Sequence, residues 1–373
     1  MNFPKHEKEH PNPYPLVAPL PDDLQFGLSN VCNLTCVFCG EHRIGHPVKV
    51  RRFSAAMRRM MMGLIPHVRE AAFHENSEFF LDRDFVPILE LCSRHGVTLS
   101  LNTNASRLTA GQIDALEDYK AHLNIAISLD AARPATYAKL RGGRFEKVWD
   151  HAQTLVDIVR RKPAYRSRVW CPTHTTAAFI IMGENRSEAM EFLEMVDAAG
   201  FDRVSFYRLH DSGDWQCRRG EFAFDYQAQG SWNFKAEYNE LVRDLETEAR
   251  KRGILCWLPE PYPLVEGKAD DGPTEIHASH HPEAVPVLGK EPICLKPWTG
   301  RSVILASGAL YPCCHAWGPE AELGNVSDGD FNAAWNSAKA QALRKALWEH
   351  RFPRMCRNGS CPVYRSWLLR KGG

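Results

Sequence analysis

The sequence predicts an α/β fold built on a parallel sheet. Short apolar, β-branched runs alternate with amphipathic stretches of helical period, and the lengths between them are those of βαβ units. This alternation stops after Leu209, where a long helix, a Pro- and Gly-rich stretch and a second cysteine-bearing region follow. A chain of 373 residues can bury one large core and one smaller one.

Leu24 to Leu28 reads as a first strand running into a cysteine-rich loop. Phe53 to Val68 reads as a helix with a serine start, and its stripe of Met57, Met60, Met61 and Leu64 is core packing. His67 to Phe73 leads into the second strand, Phe85 to His95 is a helix and Val97 to Asn102 the third strand. Thr109 to Tyr119 is a helix entered from a threonine cap. Leu123 to Leu129 alternates and is β-branched, giving a fourth strand. Val148 to Arg160 is helical, Ala177 to Met182 a strand, Ser187 to Ala199 a helix and Arg203 to Leu209 a sixth strand. His210 to Gly230 is polar and aromatic without a period and reads as a substrate-lining loop. Phe234 to Arg252 is a long helix closed by Gly253. In parallel α/β sheets the chemistry sits at the carboxyl ends of strands, where the cysteine loop falls.

Net charge is +1, so no basic field asks for nucleic acid. No segment approaches the roughly 18 apolar residues of a membrane span. Residues 1–20 lack the apolar stretch of a signal peptide and read as an irregular arm. Twelve cysteines in so long and apolar a chain do not need a disulfide framework. Cys92, Cys171, Cys217 and Cys256 are scattered singly, and the remainder gather in two groups that look like metal ligands. Exposed iron–sulfur groups need a reducing compartment, so a cytoplasmic location is expected.

The first group is Cys32, Cys36 and Cys39, spaced C-x3-C-x2-C. Three thiolates on one short loop can hold three irons of a [4Fe-4S] cluster and leave the fourth open to a non-protein ligand. Zinc is the rival, with His42 and His46 close enough in sequence to complete its four ligands.

This stretch resembles the signature of the radical S-adenosylmethionine (radical SAM) superfamily. The resemblance implies a partial (β/α)6 barrel. It also implies a cluster whose open iron binds the methionine amino and carboxylate groups of SAM. One-electron cleavage would then yield a 5'-deoxyadenosyl radical that takes a hydrogen atom from the substrate. Phe38 matches the aromatic position near the adenine. After the second strand, Asn76-Ser77-Glu78 stands where the family usually carries Gly-Gly-Glu-Pro, making Glu78 the acceptor for the SAM ammonium and Glu75 its rival. Asn104, in Thr103-Asn104-Ala105, matches a Thr-Asn-Gly element with Ala for Gly. Ser128, Asp130 and Arg141 resemble the Ser-x-Asp and Arg-Gly elements. There the serine and arginine reach the SAM carboxylate and ribose, and an arginine fork suits a carboxylate. Asn185 is a weaker echo of a ribose-side asparagine.

The second group comprises Cys294, Cys313, Cys314, Cys356 and Cys361, with Pro297-Trp298, Gly324-Asn325 and Trp335-Asn336 between them. This order resembles the SPASM/twitch branch, in its shortened form holding one auxiliary [4Fe-4S] cluster. The resemblance assigns Cys294, Cys313, Cys356 and Cys361 as ligands, with Cys314 the spare or the substitute for Cys313. The expected organisation is an arm over 1–20, a barrel over 21–230, a helix with linker or lid over 231–292 and a small α+β auxiliary domain over 293–373. His277, His280 and His281 in the linker read as solvated.

No leader-peptide recognition module is evident before Pro21, which counts against a peptide substrate without removing it. A polar small molecule is expected instead, a sugar, aminocyclitol or nucleoside-like metabolite, undergoing dehydrogenation or related remodelling. Flavodoxin or ferredoxin is the expected electron donor. Arg208, His210, Lys296 and Tyr207 are candidate groups beside the substrate, and Cys217 is the candidate hydrogen-atom donor for an epimerisation.

Overall fold

The computed structural model describes residues 14–74, 77–167, 169, 171–210, 213–262, 293–357, 361, 363, 364 and 367. Glu75, Asn76, His277, His280 and His281 lie outside the described residues.

Six parallel strands pair in sequence order: β1 (Asp23–Phe26), β2 (Glu70–Phe73), β3 (Thr98–Thr103), β4 (Leu123–Ser128), β5 (His174–Ile181) and β6 (Arg203–Arg208). Each is followed by at least one helix: Ala55–Leu64, Phe85–His95, Ala110–Asp118, Pro134–Leu140 with Phe145–Arg160, Ala189–Ala198 and Lys235–Arg252. The arrangement is a partial (β/α)6 barrel. The strands alternate because one face packs on helices and the other lines the interior. In β4, Leu123, Ile125 and Ile127 are fully buried against the helices, whereas Asn124, Ala126 and Ser128 are half-buried. Met57, Met60, Met61 and Leu64 are buried in the same core.

Helix boundaries follow local chemistry. Ser54 caps its helix by accepting from the Met57 N–H, and Thr109 forms a full capping box with Gln112. Gly253, at φ +67°, closes the helix Lys235–Arg252 in the left-handed region.

Two differences from the sequence expectation bear on function. Residues 216–225 form a hairpin, β7 (Gln216–Arg219) and β8 (Phe222–Asp225), where a period-free loop is expected. Its strands are only four residues long and the inward run Trp215, Cys217, Arg219 is of mixed character, so the alternation that Phe222 and Phe224 continue is too short to stand out, and Gly220, at φ +60°, makes the turn. The C-terminal region also extends the barrel sheet itself. Beyond β6 lies β9 (Leu255–Trp257), parallel to it. On the other edge β10 (Ser302–Ile304) pairs in parallel with β1, with Leu24 opposite Ser302, and continues into the antiparallel β11 (Ala309–Tyr311) and β12 (Gly324–Asn325). Described residues of the N-terminal arm are tied to this extension. Trp298 donates to the Pro15 carbonyl, Trp335 to that of Pro19, and the buried Arg344 to that of Leu16. Among the described residues no helix is long and apolar enough to cross a membrane.

Candidate functional site

A cavity of about 490 Å³ opens at the carboxyl ends of the strands. Its wall includes Cys32, Cys36 and Cys39 from the loop after β1 and Glu78 after β2. Asn104 after β3, Ser128 at the end of β4 and Arg141 beyond it complete that side. Phe38 also lines it, as do Arg208 and His210 at the end of β6. His42 lines it too and gives its N–H to Cys39 Sγ at 3.2 Å, whereas His46 is exposed.

Glu78 is buried, 2% exposed, and accepts three hydrogen bonds: from Thr103 Oγ1 at 2.7 Å, the Asn104 N–H at 2.7 Å and the Phe80 N–H at 3.2 Å. Burial still pushes its carboxyl up to about 7, against the pull of those donors and Arg141. A carboxylate has about four acceptor positions, so one remains for a further donor. A cation there would restore the charged form. Glu78 also fixes the site's frame, because its backbone N–H donates to the Val31 carbonyl at the entry to the cysteine loop. Asn104 then reaches that loop through its side-chain amide, 3.5 Å from Cys32 Sγ and 3.3 Å from Asn33 Oδ1.

Arg141 is held by Asp130 through Nε at 2.7 Å and Nη2 at 2.5 Å, and its guanidinium lies 5.7 Å from the Phe38 ring. Burial opposes its charge, but Asp130 and Cys36 outweigh it, so Arg141 is firmly protonated. Asp130 sits in the left-handed region, at φ +58°, and its other oxygen accepts from the Ile180 N–H at 2.7 Å. Asn185 braces this turn by donating to the carbonyls of Asp130 and Ile180. Ala105 is also left-handed, at φ +52°, which is the physical reason a glycine would be comfortable there.

His74 is a cavity residue that sequence reasoning did not single out. Burial and the nearby Arg301 push its imidazole down to about 3, so it is neutral. Arg301, on the C-terminal extension, points Nη1 at His74 Nδ1 at 3.4 Å and pairs with Glu70. His74 Nε2 meets Ser100 Oγ at 2.9 Å, and Asn124 donates to the same hydroxyl at 3.1 Å. A polar residue directly after a buried strand was the available signal.

The second cysteine group also gathers. Cys294, Cys313, Cys356 and Cys361 lie within electrostatic reach of one another; Cys314 also acts on Cys313 but is exposed. Burial pushes the thiols of Cys313 and Cys356 up to about 12 and that of Cys294 well above its ordinary value. Backbone N–H groups point at these sulfurs, from Lys296 to Cys294, from His315 and Ala316 to Cys313 and from Tyr364 to Cys361 at 3.5 Å. In the first group Leu34 does the same for Cys32. Buried thiols wrapped in N–H donors fit iron–sulfur ligation, because the donors stabilise thiolates that burial alone would protonate. Among the described residues no three His, Cys, Asp or Glu side chains converge at single-ion range.

A profile of the radical SAM superfamily matches residues 27–196, and a profile of the SPASM iron–sulfur cluster-binding domain matches residues 294–362. The chain carries a radical SAM superfamily domain and a SPASM domain. As a radical SAM enzyme with a SPASM domain, it uses a [4Fe-4S] cluster and SAM and carries auxiliary iron–sulfur binding. Among solved structures it is similar to Streptococcus suis SuiB bound to S-adenosylmethionine, with 15% identity, 93% of this chain and 72% of that one covered, and a TM-score of 0.58. It is equally similar to anSMEcpe with bound AdoMet, with 15% identity, 94% and 92% covered and a TM-score of 0.58. At that identity the likeness concerns the fold. No curated protein matches the chain.

The remaining candidates in this radical SAM enzyme fall elsewhere. Cys217 is not among the cavity-lining residues; its Sγ lies 3.7 Å from the Val37 carbonyl. Lys296 sits beside Cys294, away from the cavity. Tyr207, on β6, packs against Trp257 with ring centroids 5.0 Å apart.

Proposed function

We propose that Cys32, Cys36 and Cys39 bind the SAM-cleaving [4Fe-4S] cluster and that the adjoining cavity holds SAM against Phe38, Glu78, Asn104, Ser128 and Arg141. One observation carries this reading: all eight residues line the same cavity, although they come from four separate strand ends. Three thiolates leave one iron free of protein ligands. When bound, the cluster and SAM together supply the power to remove a hydrogen atom from an unactivated carbon. Glu78 offers its remaining acceptor position to the SAM ammonium. Arg141, held by Asp130, presents a fixed positive edge to the carboxylate and ribose side.

The substrate we propose is a polar small molecule of the sugar, aminocyclitol or nucleoside-like kind, undergoing dehydrogenation or related remodelling. Support comes from neutral hydrogen-bonding groups on the wall beyond those given to SAM, namely His74, Ser77 and Asn102. Such groups suit hydroxyls as hydrogen-bonding partners. The second reading is a peptide, since SuiB and anSMEcpe have both been solved with peptides bound. We further propose one auxiliary [4Fe-4S] cluster on Cys294, Cys313, Cys356 and Cys361, closed by four protein ligands and acting as an electron conduit. Flavodoxin or ferredoxin would deliver electrons in a reducing, cytoplasmic setting.

Anaerobic reconstitution tests the assignment. The intact protein is expected to hold about eight irons, about four per cluster. With SAM and a strong reductant it should produce 5'-deoxyadenosine. The Cys32, Cys36 and Cys39 triple alanine variant should lose about four irons and all SAM cleavage. Retained cleavage refutes the cysteine assignment. A screen of deuterated metabolites and peptides for transfer into 5'-deoxyadenosine decides the substrate class; transfer only from a peptide overturns the small-molecule reading.

A further inference from the structure

The hairpin β7–β8 grips the cysteine loop. Residues facing inward recur at every second position, Trp215, Cys217 and Arg219, while Gln216 and Arg218 are exposed. Trp215 Nε1 donates to the Val37 carbonyl at 3.0 Å, and Cys217 Sγ meets the same oxygen. Arg219 Nη2 donates to the Thr35 carbonyl and, at 3.1 Å, to Thr35 Oγ1. Its Nη1 donates to the carbonyls of Ala138 at 2.8 Å and Lys139 at 3.2 Å, at the end of the helix Pro134–Leu140. Gly142 leaves the room for this: a Cβ there would come within 2.4 Å of the guanidinium. Val37 completes the junction by donating its N–H to the Leu140 carbonyl at 2.9 Å.

One guanidinium therefore joins three segments: the loop bearing Cys36, the helix end that leads to Arg141, and the hairpin. Among the described residues Arg219 has no carboxylate in ion-pair contact. Burial pulls its proton affinity down, and Cys36 and Cys217 oppose that pull. A half-buried cation with no carboxylate partner beside a thiolate-bearing loop stays available to offset negative charge gathered on that loop, reduced by solvent screening.

We propose that Arg219 is a positioning residue that clamps the Cys32–Cys39 loop and raises the reduction potential of the cluster on it. The proposal rests on the assignment of that cluster to these three cysteines. Adding an electron to a cluster makes it more negative, and a nearby fixed cation favours that state. Cluster potentials respond to net charge, hydrogen bonding and solvent exposure, and Arg219 acts on the first and the last. Its hydrogen bonds reach loop carbonyls and Thr35, so its influence on the sulfur is electrostatic and steric.

The test compares wild type, Arg219→Gln, Arg219→Lys and the exposed neighbour Arg218→Gln as full-length protein. Two quantities are read. The first is the midpoint potential of the cluster EPR signal that SAM perturbs. The second is amide hydrogen exchange over residues 33–40, measured also without iron so that poor cluster loading does not mask the clamp. Arg219→Gln should shift the potential to more negative values and speed exchange in the loop. Arg219→Lys should keep most of the potential but lose protection, because an ammonium lacks the fork that spans Thr35 and Ala138. Arg218→Gln should change neither. A SAM-responsive signal with wild-type potential and wild-type exchange in Arg219→Gln overturns the proposal alone. A wild type with no SAM-responsive signal overturns the cluster assignment, and this proposal with it.

Discussion

Replacing Glu78 by Gln separates the cost of burying its charge from the use of that charge. The folded carboxyl titrates near 7 against an ordinary 4.5 because burial outweighs three hydrogen bonds. At about 1.36 kcal/mol per pH unit, that difference is about 3 kcal/mol. Since the folded value is the higher one, the protonated form is favoured in the native state. The resulting stability is complete below pH 4.5 and is lost as pH rises through 7. Gln does not titrate, so the stability of wild type relative to Glu78→Gln should fall by about 3 kcal/mol between pH 4.5 and pH 8. An offset of about 1–3 kcal/mol against the variant applies throughout, because one amide N–H now faces the Asn104 or Phe80 N–H. Affinity behaves differently. A hydrogen bond to a charged group contributes about 1.5–3 kcal/mol, so SAM should bind Glu78→Gln roughly ten- to two-hundred-fold more weakly at pH 8. Wild-type affinity should itself decline as pH drops below 7, with proton release on binding. Urea titrations across pH and anaerobic calorimetry with SAM in buffers of differing ionisation heat measure both. Equal SAM affinity in variant and wild type at pH 8 would refute the role of Glu78 as ammonium acceptor.

Three further outcomes are expected. Cys313→Ala should remove the auxiliary cluster's roughly four irons, while Cys314→Ala, at an exposed position, should leave iron content near wild type by colorimetric assay. Arg141→Met should destabilise the protein by about 3–5 kcal/mol in urea melts, because it strands the buried Asp130; Arg141→Met with Asp130→Asn should recover part of that loss while SAM affinity stays low. Ala105→Gly should stabilise the protein by up to about 1 kcal/mol in the same melts, since relief of a left-handed alanine exceeds the added chain entropy of glycine.

The sequence by itself determined the features whose physics is local. Periodicity marked the six strands and their principal helices to within a few residues, since each strand's alternation reports a helix-facing side and a barrel-facing side. The helix Phe85–His95 was legible to the residue between Asp84 and Gly96. The C-x3-C-x2-C spacing is readable because one short loop must present all three thiolates. Tertiary structure decided whatever depends on distant segments meeting. Arg219 and Thr35 are 184 residues apart, so no local pattern could announce the clamp, and two four-residue strands give too short an alternation to read as a hairpin. The pairing of β10 with β1, which carries the C-terminal extension into the barrel sheet, joins strands about three quarters of the chain apart. The charge state of Glu78 was equally hidden. Its residue type suggests an ordinary carboxylate, but the Phe80, Thr103 and Asn104 donors and complete burial set its behaviour, and those exist only once the sheet has closed around it.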